Sequence, residues 1–171
     1  VIYEKNNVLG GTFIPASAES YKGKLRELLA WYRRQMKELD VEVHLGKEID
    51  SVEKFGDAPV IIATGSVPRV MKNIPGHERM IEACDYLNGR DVGERVVVIG
   101  GGLTGSEIAY ELALQGKRPV IVEMKNDLVA QKGVCLANSS YLREWFELHE
   151  VPVYLETKLK EVKEHSVICT D

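Results

Sequence analysis

An α/β fold, a parallel sheet with flanking helices and short antiparallel β-meanders, is predicted for this 171-residue chain by three stretches. Residues 95–123 read RVVVIGGGLTGSEIAYELALQGKRPVIVE: a β-branched run, a glycine turn, a helical pattern and a second β-branched run. Residues 1–11 open on Val1-Ile2-Tyr3-Glu4, a short strand ending in an acid, with Leu9-Gly10-Gly11 just beyond. Residues 59–69 carry the apolar run Val60-Ile61-Ile62-Ala63, closed by Thr64-Gly65 and a proline-stiffened exit. Strands alternating with helices in this way build parallel sheets.

The central stretch carries the most information. Val96, Val97, Val98 and Ile99 form the unbroken run expected of a parallel strand buried on both faces. Gly100, Gly102 and Gly105, with Gly101, Leu103 and Thr104 between them, supply G-x-G-x-x-G. The first glycine allows a tight turn, the second lets backbone approach a pyrophosphate, and the third lets helix and strand pack closely. The helix that follows directs its unpaired N–H groups and positive dipole end at the phosphates. Ile108, Ala109, Leu112 and Ala113 make its apolar face, and Gly116 is its expected stop. Glu123 ends the second strand about 20 residues past the glycines, where a carboxylate accepts hydrogen bonds from both ribose hydroxyls of an adenosine. That charge repels a 2′-phosphate, which favours NADH over NADPH, and Lys125, just past Met124, softens the preference. The plainer reading is an ordinary βαβ unit whose glycines only turn the chain.

The remaining elements follow in order. Residues 12–19 read as a loop, with Ser20 as a cap for a helix over 22–39. Leu25, Leu28, Leu29, Tyr32 and Met36 recur at helical spacing, and Arg33, Arg34 and Lys37 form a solvated side. Residues 41–45 alternate as a short strand with His44 exposed, and 47–55 read as a further strand before a turn at Gly56-Asp57. The 59–69 run is expected to be a buried strand whose Ala63-Thr64-Gly65 end comes near a ligand. Residues 70–76 are a linker, 77–87 a short helix, 125–134 a polar loop, and 137–149 an amphipathic helix with Leu142, Trp145, Phe146 and Leu148 inward. Residues 151–155 are the next parallel strand, and 159–162 and 166–169 are β-type runs with His165 near the turn between them.

Composition narrows the function classes. With 44% hydrophobic and 28% charged residues the chain is an ordinary core-forming globular protein. A net charge of −4 without a long basic run argues against nucleic acid as a partner. No apolar run approaches the length of a membrane span. The three cysteines, Cys84, Cys135 and Cys169, are widely spaced, which fits a reducing cytoplasm and neither a disulfide framework nor a metal site. Cys135 is expected to be a packed small residue.

Together these motifs resemble the two-dinucleotide-binding-domain flavoproteins, the pyridine-nucleotide-dependent flavin oxidoreductases. The segment from Glu4 to Gly11, the helix stretch Leu29-Ala30-Trp31-Tyr32-Arg33-Arg34-Gln35-Met36, Ala63-Thr64-Gly65 and the Gly100 to Glu107 turn carry a closer likeness. It is to the carboxyl-terminal region of 2-enoate reductases and 2,4-dienoyl-CoA reductases, the old-yellow-enzyme-related iron–sulfur flavoproteins. The resemblance implies a partial FAD-binding domain over 1–69, a connecting segment over 70–94 and an NAD(H)-binding domain over 95–171, truncated at both ends. Glu4 would meet the adenosine ribose of FAD, Gly10, Gly11 and Thr12 would approach its flavin side, and Ala63, Thr64 and Gly65 would pack on it. Glu107, on the first turn of its helix, would lie near the nicotinamide. The first FAD glycine loop and the later Gly-Asp motif of that family are not in this sequence. Its FMN and 4Fe-4S cluster belong to an amino-terminal barrel that this sequence also lacks.

The function implied is hydride transfer from NADH to FAD, serving reduction of a 2-enoate or enoyl thioester in the parent. The side chains offer no general acid or nucleophile of their own. The expected partners are nucleotides and the remaining domains of the parent flavoprotein, and a homo-oligomer is left open. A non-catalytic nucleotide-binding or docking module is one alternative. A fragment of another FAD-dependent reductase, of ferredoxin-reductase or NADH-oxidase type, is the other.

Overall fold

In the computed structural model, which describes residues 1–171, the chain divides into two units, Val1–Val67 and Pro68–Asp171. The first is a small parallel βαβ arrangement. Strand β1 (Ile2–Glu4) pairs with β2 (Val43–Leu45), Ile2 opposite Val43 and Glu4 opposite Leu45. Between them run a single-turn helix α1 (Phe13–Ala16), where a loop was expected, and the long helix α2 (Gly23–Glu38).

The N-cap of α2 is Lys22, not Ser20, and it makes no side-chain cap bond. Its first-turn Arg26 instead reaches back, donating to the carbonyls of Ser17 (2.6 Å), Glu19 (2.7 Å) and Ser20 (3.2 Å), so Ser20 stays outside the helix. Arg33 is not merely solvated: it is half-buried and its Nε donates to the Leu9 carbonyl at 2.8 Å. Of the apolar residues at helical spacing, Leu29 is buried, whereas Leu28 and Tyr32 are exposed. His44 is also half-buried, stacked on Tyr3 at 4.9 Å with Nε2 2.7 Å from a Glu42 oxygen.

Two expected strands do not form in this unit. Residues 47–55 give only a 3₁₀ turn, Val52–Phe55, because the Ser51 hydroxyl accepts the Glu53 N–H and caps a turn there. Residues 59–69 have no regular structure, and Ile61 is 92% and Ile62 72% exposed. A strand is stable only with a ladder partner, and β1 and β2 pair only with each other.

The second unit holds the main core. A 3₁₀ turn, His77–Arg79, and helix α3 (Ala83–Leu87) replace the single helix expected there, because Met80 between them is extended. Strand β3 (Arg95–Ile99), helix α4 (Leu103–Leu114), strand β4 (Arg118–Val122), helix α5 (Leu136–Leu148) and strand β5 (Val153–Tyr154) follow. They make a parallel sheet in the order β3-β4-β5. Strands β6 (Lys158–Val162) and β7 (Val167–Thr170) form an antiparallel hairpin.

Val98, Ile108, Ala109, Leu112, Ile121, Leu128, Val129, Leu142 and Phe146 pack into one cluster. The apolar stripes of α4 and α5 therefore close over the sheet as their spacing predicts. Three expectations need correction, and a buried charge adds a fourth finding. Strand β3 is not buried on both faces, since Val98 is turned toward α4 while Val97 is 40% exposed. Leu148 lies in the last turn of α5 and is exposed, not inward. Cys135 is exposed at the N-cap of α5, one turn before the packed face begins at Ser139. Glu111 is buried on α4, its charge lying against the amide of Gln115 at 2.9 Å.

Three helices end alike. Gly116 follows α4 at φ +77°, with the N–H of Lys117 on the Leu112 carbonyl and that of Gly116 on the Ala113 carbonyl. The same pair of bonds closes α2 around Asp40 (φ +51°) and α5 around Glu150 (φ +52°), where no glycine is present. No helix is long and apolar enough to cross a membrane.

Candidate functional site

The glycine turn sits where β3 passes into α4. Gly100 has φ +104°, a backbone conformation that a residue with a Cβ resists, and its N–H extends the ladder to the Val122 carbonyl at 2.8 Å. Gly105 explains the close contact of helix and strand. A Cβ there would collide with the Gly100 carbonyl and touch the Val98 side chain. Gly102 precedes the first helical residue with extended ψ, and only the carboxamide of Gln131 comes near the place a Cβ would take. The motif thus has the open second position and crowded third position expected of it.

Gly101, the residue between the motif glycines, is the most firmly held of the turn. Its N–H donates to Glu123 Oε2 at 2.6 Å. Its carbonyl accepts from the Val129 N–H at 2.7 Å and from the Ser106 hydroxyl at 3.1 Å. A Cβ there would run into Leu128. The sequence signal for this role is only that Gly101 completes a run of three glycines.

Glu123 lies at the end of β4 and is 7% exposed. Besides Gly101, its other oxygen accepts the Lys125 N–H at 2.7 Å. Both bonds are charge-assisted, and each carboxylate oxygen keeps capacity for a second donor. Met124 and Lys125 are exposed beside it, Leu103 packs on the core, and Thr104 is exposed. Glu107 is half-buried in the second turn of α4, not the first, because the helix begins at Leu103. A broad cavity of about 1530 Å³ includes Gly100, Gly102, Thr104, Gly105 and Gln131 in its walls.

Sequence reasoning missed the device that holds the loop after β4. Arg143 of α5 pairs with Asp127 through Nε and Nη2, each at 2.8 Å, and Nη2 donates to the Leu128 carbonyl at 2.6 Å. Val129 follows at φ +49°, an outlier for a β-branched residue, with its side chain buried. No local pattern announces a contact between residues 127 and 143.

The first-unit residues are less completely assembled. Glu4 Oε1 accepts from the N–H and the side-chain amide of Asn6, at 2.8 and 2.7 Å. Gly10 (φ +134°) and Gly11 (φ +47°) make the turn before α1, and a Cβ on Gly10 would crowd Leu29 and Ile14. Thr12 stands at the start of α1 without a side-chain cap bond. Ala63, Thr64 and Gly65 are exposed on the irregular segment and no strand carries them to these groups.

Comparison with known proteins places these features. Residues 53–171 match the family model described as pyridine nucleotide-disulphide oxidoreductase. The chain is 38% identical to cinnamate reductase of Clostridium sporogenes over 156 residues, 89% of this chain and 23% of that protein. It is 39% identical to NADH oxidase of Thermoanaerobacter brockii over 137 residues, 75% of this chain and 21% of that protein. Its fold superposes on 2-naphthoyl-CoA reductase in complex with 2-naphthoyl-CoA with a TM-score of 0.85, covering 99% of this chain and 26% of that one at 23% identity. The chain thus spans about a quarter of the length of the relatives it matches.

Proposed function

This chain belongs to the pyridine nucleotide-disulphide oxidoreductase family, flavin-dependent enzymes that bind FAD and a nicotinamide dinucleotide, and from that premise we propose that residues 95–171 form its NAD(H) domain. The observation that carries the reading is the interlock of turn and acid: the Glu123 carboxylate on the Gly101 N–H, beneath a helix N-terminus that leaves Gly102 open. A dinucleotide fits there. Its pyrophosphate would lie over Gly100, Gly101 and Gly102 against the first N–H groups of α4, those of Leu103, Thr104 and Gly105. Its adenosine ribose would meet the remaining acceptor capacity of Glu123, beside Met124 and Lys125. Glu107 would lie toward the nicotinamide.

Residues 1–69 are read as part of an FAD domain, with 70–94 connecting the two. Glu4 and the Gly10-Gly11-Thr12 turn are suited to one end of that cofactor. Ala63, Thr64 and Gly65 lie exposed on an irregular segment, and no strand carries them to these groups. The nicotinamide, when bound, supplies the hydride. The work of these side chains is placement, with Glu123 selecting NADH over NADPH.

In the longer protein this domain would feed a flavin that serves reduction of a 2-enoate or enoyl thioester, at an FMN and 4Fe-4S barrel outside these residues. Identity to cinnamate reductase over most of the chain supports that reading. Identity to NADH oxidase supports a second, in which the same NADH site serves a different final acceptor. The other domains of the parent would be the main partners.

Glu123→Ala tests the assignment. Calorimetric titration should show NADH binding weakened about tenfold, as for a lost hydrogen bond to a charged group, and NADPH binding weakened less. Equal loss for both dinucleotides would remove the proposed role of this carboxylate.

A further inference from the structure

The loop after β4 is fastened more strongly than a surface loop requires. Asp127 and Leu128 are gripped by Arg143, Val129 is held in the left-handed region with its N–H on the Gly101 carbonyl, and Leu128 fills the space above Gly101. A buried β-branched residue in that conformation is costly, and such strain persists where the surrounding structure determines it. Two residues further on, Gln131 sets its carboxamide against Gly102. Its Oε1 lies 3.4 Å and its Nε2 4.0 Å from where a Cβ of Gly102 would stand. The space beside that glycine is the space through which a diphosphate approaches the turn.

We propose that Gln131 is a further dinucleotide-binding residue, its carboxamide N–H donating to the diphosphate at Gly102, and that the Asp127–Arg143 pair is the positioning device that holds it there. The inference rests on the NAD(H) reading of the same turn. Gln131 suits the task because a carboxamide carries two donors and no charge. It adds a directed bond to the diphosphate without affecting the Glu123 carboxylate. Arg143 acts indirectly, since the bonds of its Nε and Nη2 go to Asp127 and the Leu128 carbonyl. Its influence passes through the backbone of 128–131.

The experiment is calorimetric titration of the 171-residue chain with NADH and with ADP-ribose, which keeps the diphosphate but lacks the nicotinamide. Gln131→Ala should raise the Kd for both ligands about fivefold, and Gln131→Glu, which sets a negative charge against the phosphates, about thirtyfold. Melting temperatures without ligand should match the parent, since Gln131 is exposed. Arg143→Ala should weaken both ligands in the same direction, with Arg143→Lys recovering part of the loss. Affinities unchanged in both Gln131 variants, while the parent binds NADH, would overturn this proposal and leave the NAD(H) site standing. A parent chain that binds neither ligand would overturn both.

Discussion

The two units of this chain begin from the same plan, a strand, a glycine turn, a helix and a parallel second strand, and only one of them closes over it. In the second unit, nine buried apolar residues form a continuous cluster between sheet and helices. In the first, Leu29 is the single hydrophobic residue of the buried core, and its other buried positions include Ser17 and Glu19. One oxygen of Glu19 lies 3.2 Å from the Lys22 ammonium, and the other has no hydrogen-bond partner. The acids at the strand ends, Glu4 of β1 and Glu123 after β4, differ in the same sense. Glu123 is buried and bonded to the glycine turn, whereas Glu4 turns its carboxylate onto the neighbouring Asn6. A glycine turn becomes a defined site when the acid and the following loop are packed onto it. The motif alone does not ensure this.

Isoleucine truncations give the largest separation of the two units. Ile121→Ala should cost about 3–4 kcal/mol in denaturant unfolding, as a fully buried side chain, while Ile61→Ala should stay within about 0.5 kcal/mol. Comparable losses at both positions would break the comparison. Glycine replacements come next. Gly105→Ala drives a methyl into backbone and should destabilise by about 3 kcal/mol. Gly11→Ala meets nothing within 4 Å, so its cost should be only the roughly 1 kcal/mol of a left-handed backbone. Denaturation midpoints would rank the two.

A pH series sharpens the account of the second unit. The hydrogen bond to Tyr141, and then burial, hold the Tyr110 hydroxyl up to about 12. The unfolded chain releases this proton near pH 10, so above that value the unfolded state binds fewer protons and stability falls. The contribution is complete below about pH 10 and is lost as pH rises toward 12. Tyr110→Phe should flatten that alkaline slope in thermal melts, and an unchanged slope would place its origin elsewhere. The smallest effects concern the helix ends. Asp40→Gly and Glu150→Gly should each stabilise by about 1 kcal/mol, because both occupy left-handed positions. A loss at either site would show that the replaced side chain contributes more than the strain it imposes.

Legibility in the sequence follows the range of the interactions. The turn of Gly100, Gly102 and Gly105, the face of α4, the stop at Gly116 and the acid at Glu123 are local patterns, and the structure has them where the sequence puts them. Residues 59–69 have the composition of a buried strand, but composition does not provide a neighbouring strand. Arg33 reads as an ordinary surface charge and nothing in the sequence singles out Arg143, yet each reaches a backbone carbonyl many residues away. Arg26 likewise displaces the expected Ser20 cap through three carbonyls that no sequence window connects to it. Cys135 looked small enough to pack, and the start of α5 instead leaves it at the surface.

The central claim, an NAD(H) site built on the glycine turn of the second unit, is most directly tested by melting the 171-residue chain with NADH and with NADPH. At about one hundred times its Kd, a ligand adds roughly 2.7 kcal/mol of apparent stability. NADH should raise the melting temperature of the second unit by several degrees, NADPH less at equal concentration, and Glu123→Ala should narrow the gap. An unchanged melting temperature with both dinucleotides at saturating concentration would contradict the claim.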